Sequence, residues 1–225
     1  MPIDVELLRQ IPLFAPLSPE DLTHVAAMTV ERRYERGDLI LLEGDLGGAL
    51  HYVRRGLVKV FKTSAGGKEQ VLRLIAAGHT FNDVPALDGG PNPASAAAME
   101  PSSVYVIQRA ELRKLIMTRP EVAEAVVQTQ ALALRHLVTL VEDLSLRHVA
   151  ARVAKILLEQ ETSTQEGQPV YHLTQQEMAA LAGTAREVVG RALKELEAAG
   201  AIEMRQGRAV VLSRERLRLL ASGEQ

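Results

Sequence analysis

Arg186, Glu187, Gly190, Arg191 and Lys194 fall at offsets 0, 1, 4, 5 and 8. On a helix this spacing puts them on one face. An arginine can pair bidentately with guanine in a major groove, and a glutamate can accept from the cytosine amino group. Gly190, between the two arginines, leaves room for close approach. The same residue types also make an ordinary solvated face with i,i+4 ion pairs, so the context has to decide between the two.

Val189, Ala192, Leu193 and Leu196 form an apolar stripe on the other side of this helix, read as 185–198. A helix over 174–182 precedes it, with Thr174 as its cap and Met178 and Leu181 facing inward. Ala182-Gly183-Thr184 makes the turn, where glycine accepts a left-handed backbone at little cost. Ala201–Leu212 then reads as two short strands around Gln206-Gly207, and Arg214–Leu220 as a last helix. Helix, helix, tight turn, helix and hairpin is the order of a winged helix-turn-helix, and this favours DNA over mere solvation.

Upstream the texture differs. From about Val30 to Ile107, glycines separate short apolar runs such as LILL, LHYV, LVKVFK, QVLRLI and SVYVI, as in a compact antiparallel barrel. Residues 13–28 read as a short opening helix, with Ser18 as its cap, Pro19 at its first helical position and Asp21 at capping-box spacing. The chain turns helical from Ala110, and Glu121 to about Leu146 holds no Pro or Gly. Val127, Leu134 and Val141, with Leu137 and Leu144 between, recur at heptad spacing, interrupted by Gln130, as in a parallel homodimer seam. Packing on the chain's own barrel is the alternative use of that stripe. A further helix over His148–Gln160 leads into ETSTQEGQP, read as a loop.

Composition narrows the function classes. The 225 residues are 47% hydrophobic and 24% charged, enough for a sizeable core. There is no cysteine, which excludes disulfides, thiolate zinc sites, cysteine-ligated iron–sulfur clusters and a Cys nucleophile. Net charge is −2, split as +1 over residues 147–225 and −3 over the rest, so any contact with a polyanion must come from local placement. MPIDVELLRQ carries acids where a signal peptide carries cations, and no apolar run is long enough to span a bilayer, so a cytoplasmic protein without membrane contact is expected. No His-X-His, P-loop, G-x-G-x-x-G after a strand or G-x-S-x-G occurs. The main rival, a cupin-like metal enzyme, is therefore disfavoured, no metal site is expected, and a protein-docking module is a second rival.

Gly183 to Leu196, with the β-roll and long helix in the same order before it, closely resembles the cyclic-AMP receptor protein/FNR superfamily of bacterial transcription regulators. The likeness covers almost the whole chain. It implies an α+β fold: a β-roll sensor domain of the cyclic-nucleotide-binding, jelly-roll type over 1–118, a dimerisation helix and hinge over 119–147, and a winged helix-turn-helix over 148–225. It also implies a homodimer on a palindromic site, with Arg186, Glu187 and Arg191 reading a TGTGA-like half-site. Thr184, Lys194 and the stretch Thr174, Gln175 and Gln176 would then lie at the DNA. Gln175 stands where the cyclic-AMP receptor has an arginine near the backbone, which should weaken affinity more than specificity. An activator would also meet RNA polymerase, and nothing in the sequence locates that surface.

The resemblance places the effector pocket at Asp83, Pro93, Ala94, Leu134, Leu137 and Val138. Asp83 takes the position of the family's ribose-binding glutamate. Pro93 and Ala94 stand where its phosphate-binding Arg and hydroxyl residue would be, and Leu137 and Val138 where Thr and Ser hold the adenine. No Lys or Arg lies between Arg73 and Arg109, and a buried phosphodiester without a cation would rest on backbone amides alone. Tight cyclic-AMP binding is not expected, and no cofactor is predicted. Haem-based sensing of NO or CO, using one or two of His51, His79 and His136, and a ligand-independent regulator are the alternatives of the same fold.

Overall fold

The computed structural model describes residues 5–165 and 172–222. It opens with α1 (Val5–Arg9) and α2 (Pro19–Met28). The opening helix read over 13–28 begins at Pro19 behind its Ser18 cap, as those signals indicate, while residues 13–17 lie outside it and α1 precedes it as an additional helix. Residues 11–17 form turns whose Ile11, Leu13, Phe14 and Leu17 are buried. Ser18 caps α2 by accepting from the Asp21 N–H at 3.1 Å and donating to Asp21 Oδ2 at 2.8 Å. Asp21 also takes a two-pronged hydrogen bond from Arg119, at 2.9 and 2.7 Å, which holds its carboxyl below the usual range.

Next come β1 (Val30–Tyr34), β2 (Leu39–Leu41), β3 (Leu50–Arg55), β4 (Leu57–Thr63), β5 (Glu69–Ala76), β6 (Thr80–Phe81), α3 (Asp83–Asp88), β7 (Ser95–Ala98) and β8 (Ser102–Ile107). They build two four-stranded sheets in the orders β1-β8-β3-β6 and β2-β7-β4-β5. The pairs β1/β8, β3/β8, β3/β6, β2/β7 and β4/β7 are antiparallel. Between the sheets pack Val53, Phe81, Val104 and Val106 from one and Val58, Ile75 and Ala96 from the other. β3 reads LHYV without alternation because both of its faces are covered: Leu50 and Tyr52 face a second cluster with Phe14, Leu22, Leu112 and Val122. This is the β-roll half of the expected α+β fold.

The helices follow as α4 (Arg109–Thr118), α5 (Pro120–Leu146), α6 (Val149–Gln165), α7 (Gln175–Ala182) and α8 (Arg186–Ala198), then β9 (Ile202–Arg205), β10 (Arg208–Val211) and α9 (Arg214–Ser222). The loop expected over ETSTQEGQP is in part wrong. Glu161–Gln165 contains no Gly or Pro and continues α6, with Glu161 in a 3.7 Å ion pair to Arg214. The rest of that stretch lies outside the described residues.

Two compact units result, Met1–Lys62 with Leu72–His136, and Thr63–Val71 with Leu137–Gln225. No helix of the described residues is long and apolar enough to cross a membrane.

Candidate nucleic-acid interface

The second unit positions the face described first. Thr174, in extended backbone, caps α7 within a capping box: its Oγ1 accepts from the Glu177 N–H at 3.2 Å, and its own N–H donates to Glu177 Oε2 at 2.7 Å. The Thr174 hydroxyl donates to the same carboxylate at 2.8 Å. Thr174 and Gln176 are exposed, while Gln175 is half-buried against Gly190. An added Cβ at Gly190 would meet only Gln175 Oε1, at 3.8 Å, so this glycine is not forced by packing within the chain.

Gly183 ends α7 at φ 65°, and the Thr184 N–H returns to Ala179 O at 3.0 Å. Here the left-handed backbone favours glycine, and a Cβ would also push aside the side-chain ends Gln70 Oε1 and Leu144 Cδ2, each 2.7 Å from its position. Lys68 donates to Gly183 O at 3.3 Å and Gln70 to Leu181 O at 3.3 Å, so the 63–71 segment of this unit braces the turn.

In α8, Val189, Ala192, Leu193 and Leu196 are buried, as the stripe requires. Arg186, Glu187, Arg191 and Lys194 are exposed, and Thr184 is half-buried at the turn. Glu187 and Arg191 stand at i,i+4, the spacing at which a solvated face would pair them. Among the described residues they form no ion pair, and neither do Arg186 or Lys194. The guanidinium forks and the carboxylate therefore keep their hydrogen-bonding capacity. The wing follows, β9 and β10 joined through Gln206 (φ 49°) and Gly207 (φ 78°), two positive φ values in a two-residue hairpin turn. Glu197 of α8 accepts from the Met204 N–H at 2.8 Å and ties the wing to the helix.

A cluster that the sequence did not reveal lies at the junction of α5 and α6. Buried Asp143 pairs with Arg147 Nε at 3.0 Å and with Lys155. Arg152 donates to Ala182 O at 2.8 Å and to Arg147 O at 2.6 Å. One carboxylate of α5 thus gathers Arg147 from the link between the helices and Lys155 from α6, and Arg152 carries the tie on to the end of α7.

Residues 31–119 match the cyclic nucleotide-binding domain family, and residues 151–220 the Crp-like helix-turn-helix domain family. A cyclic AMP receptor protein of Thermus thermophilus is 34% identical over 212 residues, covering 94% of this chain and 97% of that relative. The chain belongs to the CRP/FNR family. A CRP-like cAMP-activated global transcriptional regulator of Mycobacterium tuberculosis is 31% identical, over 92% of this chain and 95% of its own. The structure of FixK2 from Bradyrhizobium japonicum superposes with a TM-score of 0.73 at 25% identity, covering 85% of this chain and 96% of that one. These CRP-family relatives are regulators, not enzymes, and the architecture of β-sandwich, long helix and helix-turn-helix is the family's.

In this CRP/FNR chain the sensor residues stand as follows. Asp83 lines a cavity of about 20 Å³, room for about one water, with Leu50, Thr80, Leu112, Thr129 and Gln130. Burial raises its carboxyl above the ordinary value, opposed by a hydrogen bond with Thr80 and the charge of Arg73. Gln130, read as a break in the heptad seam, is half-buried on this cavity wall. Ala94 is buried, and the Pro93 carbonyl accepts from Lys62 Nζ at 3.2 Å. The cation-free stretch in sequence is therefore met by a lysine in space, though Glu43 already pairs with it. At Pro93 and Ala94 no cationic side chain stands, Lys62 is shared with Glu43, and the Asp83 cavity holds about one water. Leu134, Leu137 and Val138 are exposed on α5, as are Val127, Val141 and Leu144.

The three histidines differ. His79 and His136 are exposed and each bonds a main-chain carbonyl, Ala77 O at 3.3 Å and Leu72 O at 3.1 Å. His51 is buried, bonded to Ala49 O at 3.0 Å and packed on Phe81 at 5.0 Å between ring centres. Burial, aided by Arg32, pushes its pKa from 6.5 down to about 4, against the Ala49 hydrogen bond. Such a ring is a core residue and is not open to a haem iron. Among the described residues no three His, Asp or Glu side chains gather as a metal site.

His51 has a consequence for stability. Between pH 6.5 and about 4 the unfolded chain binds a proton that the folded one refuses, so stability falls as pH falls through that window. Urea unfolding at pH 7 and pH 5 should show His51→Leu sparing the protein about 2 kcal/mol of the acid loss. Equal losses in both proteins would mean that His51 is not held neutral.

Proposed function

We propose that this CRP/FNR-type regulator acts as a homodimer that reads a TGTGA-like palindrome, and that it does so without cyclic AMP. The observation that carries the reading is the exposed face of α8, whose Arg186, Glu187 and Arg191 form no ion pair among the described residues and are therefore available to base edges. Thr184, Lys194, Thr174, Gln175 and Gln176 are assigned to the surrounding backbone contacts. Because the Thr174 hydroxyl serves the cap, its phosphate contact would come from the first N–H groups of α7. Double-stranded DNA is the partner, and no haem or metal is assigned.

Two-fold pairing through α5 would set two α8 helices about 34 Å apart, one duplex turn. The proposed effector region, Asp83, Pro93, Ala94, Leu134, Leu137 and Val138, contains no Lys or Arg, and the lysine that reaches Pro93 pairs with Glu43. That argues against the cyclic-AMP response which the names of the two relatives state for those proteins.

Fluorescence anisotropy at about 150 mM salt tests the reading. A duplex with TGTGA half-sites six base pairs apart is expected to bind more tightly than a scrambled one, with no ligand added. Cyclic AMP at millimolar concentration is expected to leave the isotherm unchanged. Equal weak binding to both duplexes, without and with cyclic AMP, would sink the half-site. A cyclic-AMP-dependent gain would instead overturn the effector assignment.

A further inference from the structure

Only Arg147 and His148 separate α5 from α6, so the angle between these helices depends on few backbone torsions and on what braces them. The brace lies wholly within the second unit. Asp143, in the last turn of α5, is buried, with Lys155 of α6 at its Oδ2 and Arg147 Nε 3.0 Å from its Oδ1. The ends of three helices converge on this carboxylate. Arg147 donates to Ala221 O of α9 at 2.5 Å, and Arg152 to Ala182 O of α7 at 2.8 Å. Arg152 also donates to Asp143 O at 3.4 Å and to Arg147 O at 2.6 Å, at the end of α5. Cations at the carbonyl ends of helices are favourable.

The arrangement also crowds like charges. Arg147, Arg152 and Lys155 are each half-buried, where repulsion between cations is screened less than in open water. Glu142 reaches Arg147 at 3.3 Å but is exposed, whereas Asp143 is buried among the cations and pairs with one from the link and one from α6. Without its charge, Arg147 and Lys155 lose their common partner, and α6 is no longer drawn onto α5. α6 in turn holds the end of α7 through Arg152, and Gly183 leads from there into α8.

We propose that Asp143 is a positioning residue for DNA reading: it fixes the direction in which α7 and α8 leave α5, and thereby the half-site spacing that the dimer accepts. The inference rests on the palindrome reading above and adds to it the residue that sets spacing rather than base identity. Each added base pair moves a half-site by about 3.4 Å and turns it by about 34°. A stiffly braced dimer therefore has one preferred spacer, and a loosely braced one accepts several.

Anisotropy on the full-length protein at about 150 mM salt tests this, with TGTGA half-sites from about four to about eight base pairs apart and with a single half-site. The wild type is expected to prefer one spacer over its neighbours by about tenfold, and Asp143→Asn by about threefold or less. Asp143→Asn keeps the shape of the side chain, and its affinity for the single half-site should be unchanged. Lys155→Met keeps the apolar stem and should flatten the preference as well. The double variant should be no flatter than Asp143→Asn alone, because the two residues share one interaction. A preference as sharp in Asp143→Asn as in the wild type would overturn the proposal. So would an equal loss on the half-site and on every palindrome, which is what general destabilisation produces. A wild type that holds palindromes no better than the half-site would remove the palindrome reading itself, and this inference with it. Should Asp143→Asn fail to fold, as judged by circular dichroism, Lys155→Met decides on the same duplexes.

Discussion

Replacing Arg186 with alanine is expected to cost about 1–3 kcal/mol of discrimination at a single guanine of each half-site while leaving binding to scrambled DNA nearly unchanged. The argument runs through the helix. Val189 and Leu193 fix the rotation of α8, so Arg186 in its first turn is held outward and exposed. Gly183 and the capping box at Thr174 fix where that first turn begins. Because Arg186 has no partner among the described residues, its removal breaks no contact seen there, and the change in affinity reports the DNA contact. The measurement is anisotropy on a set of duplexes, each altered at one base pair. A wild-type protein penalised at one guanine and a variant indifferent there would establish base readout. A uniform loss on all duplexes, with a salt slope reduced by about one, would make Arg186 a phosphate contact.

The parts of the chain that the sequence made readable share one property: their signal is local. The stripe Val189, Ala192, Leu193 and Leu196 has the helical period, and Gly183 marks a left-handed turn, so α7, α8 and their orientation follow from neighbouring residues. The strands could be found because glycines separate them, but their order in two sheets depends on pairings such as Val30 with Val106, which no local pattern encodes. Long-range polar contacts were hidden for the same reason. Lys62 reaches the Pro93 carbonyl across 31 positions, and Arg152 reaches Ala182 across 30. Asp143 looks like an ordinary helix carboxylate until α6 folds Lys155 back on it. Gln130 interrupts the heptad row for a different reason. The heptad pattern supposes that every seam position addresses one partner, yet α5 also covers its own unit, and Gln130 serves that side. At ETSTQ the polar residues suggested a loop, but polarity without Gly or Pro does not stop a helix already propagating from Val149.

Leu134→Glu is expected to convert the protein to a monomer and to weaken binding to the palindrome by about a hundredfold or more, while a single half-site is bound as before. Val127, Leu134 and Val141 recur every seven residues with Leu137 and Leu144 between them, and in the isolated chain all five are exposed, Leu134 by 63%. Such a row of large apolar side chains is unfavourable in water and is the pattern a parallel two-stranded seam buries. In a parallel pair residue 134 meets its own copy, so the substitution sets two carboxylates face to face. The same exposure means that glutamate at 134 removes little from the single chain's own core, and helix content by circular dichroism should be retained. Loss of the dimer explains the loss of affinity, because two linked half-site contacts become independent ones. Sedimentation velocity and anisotropy on the same sample give both numbers. A variant that stays dimeric would show that α5 turns this row elsewhere. A monomer that still holds the palindrome as tightly as before would remove two-fold pairing from the recognition mechanism.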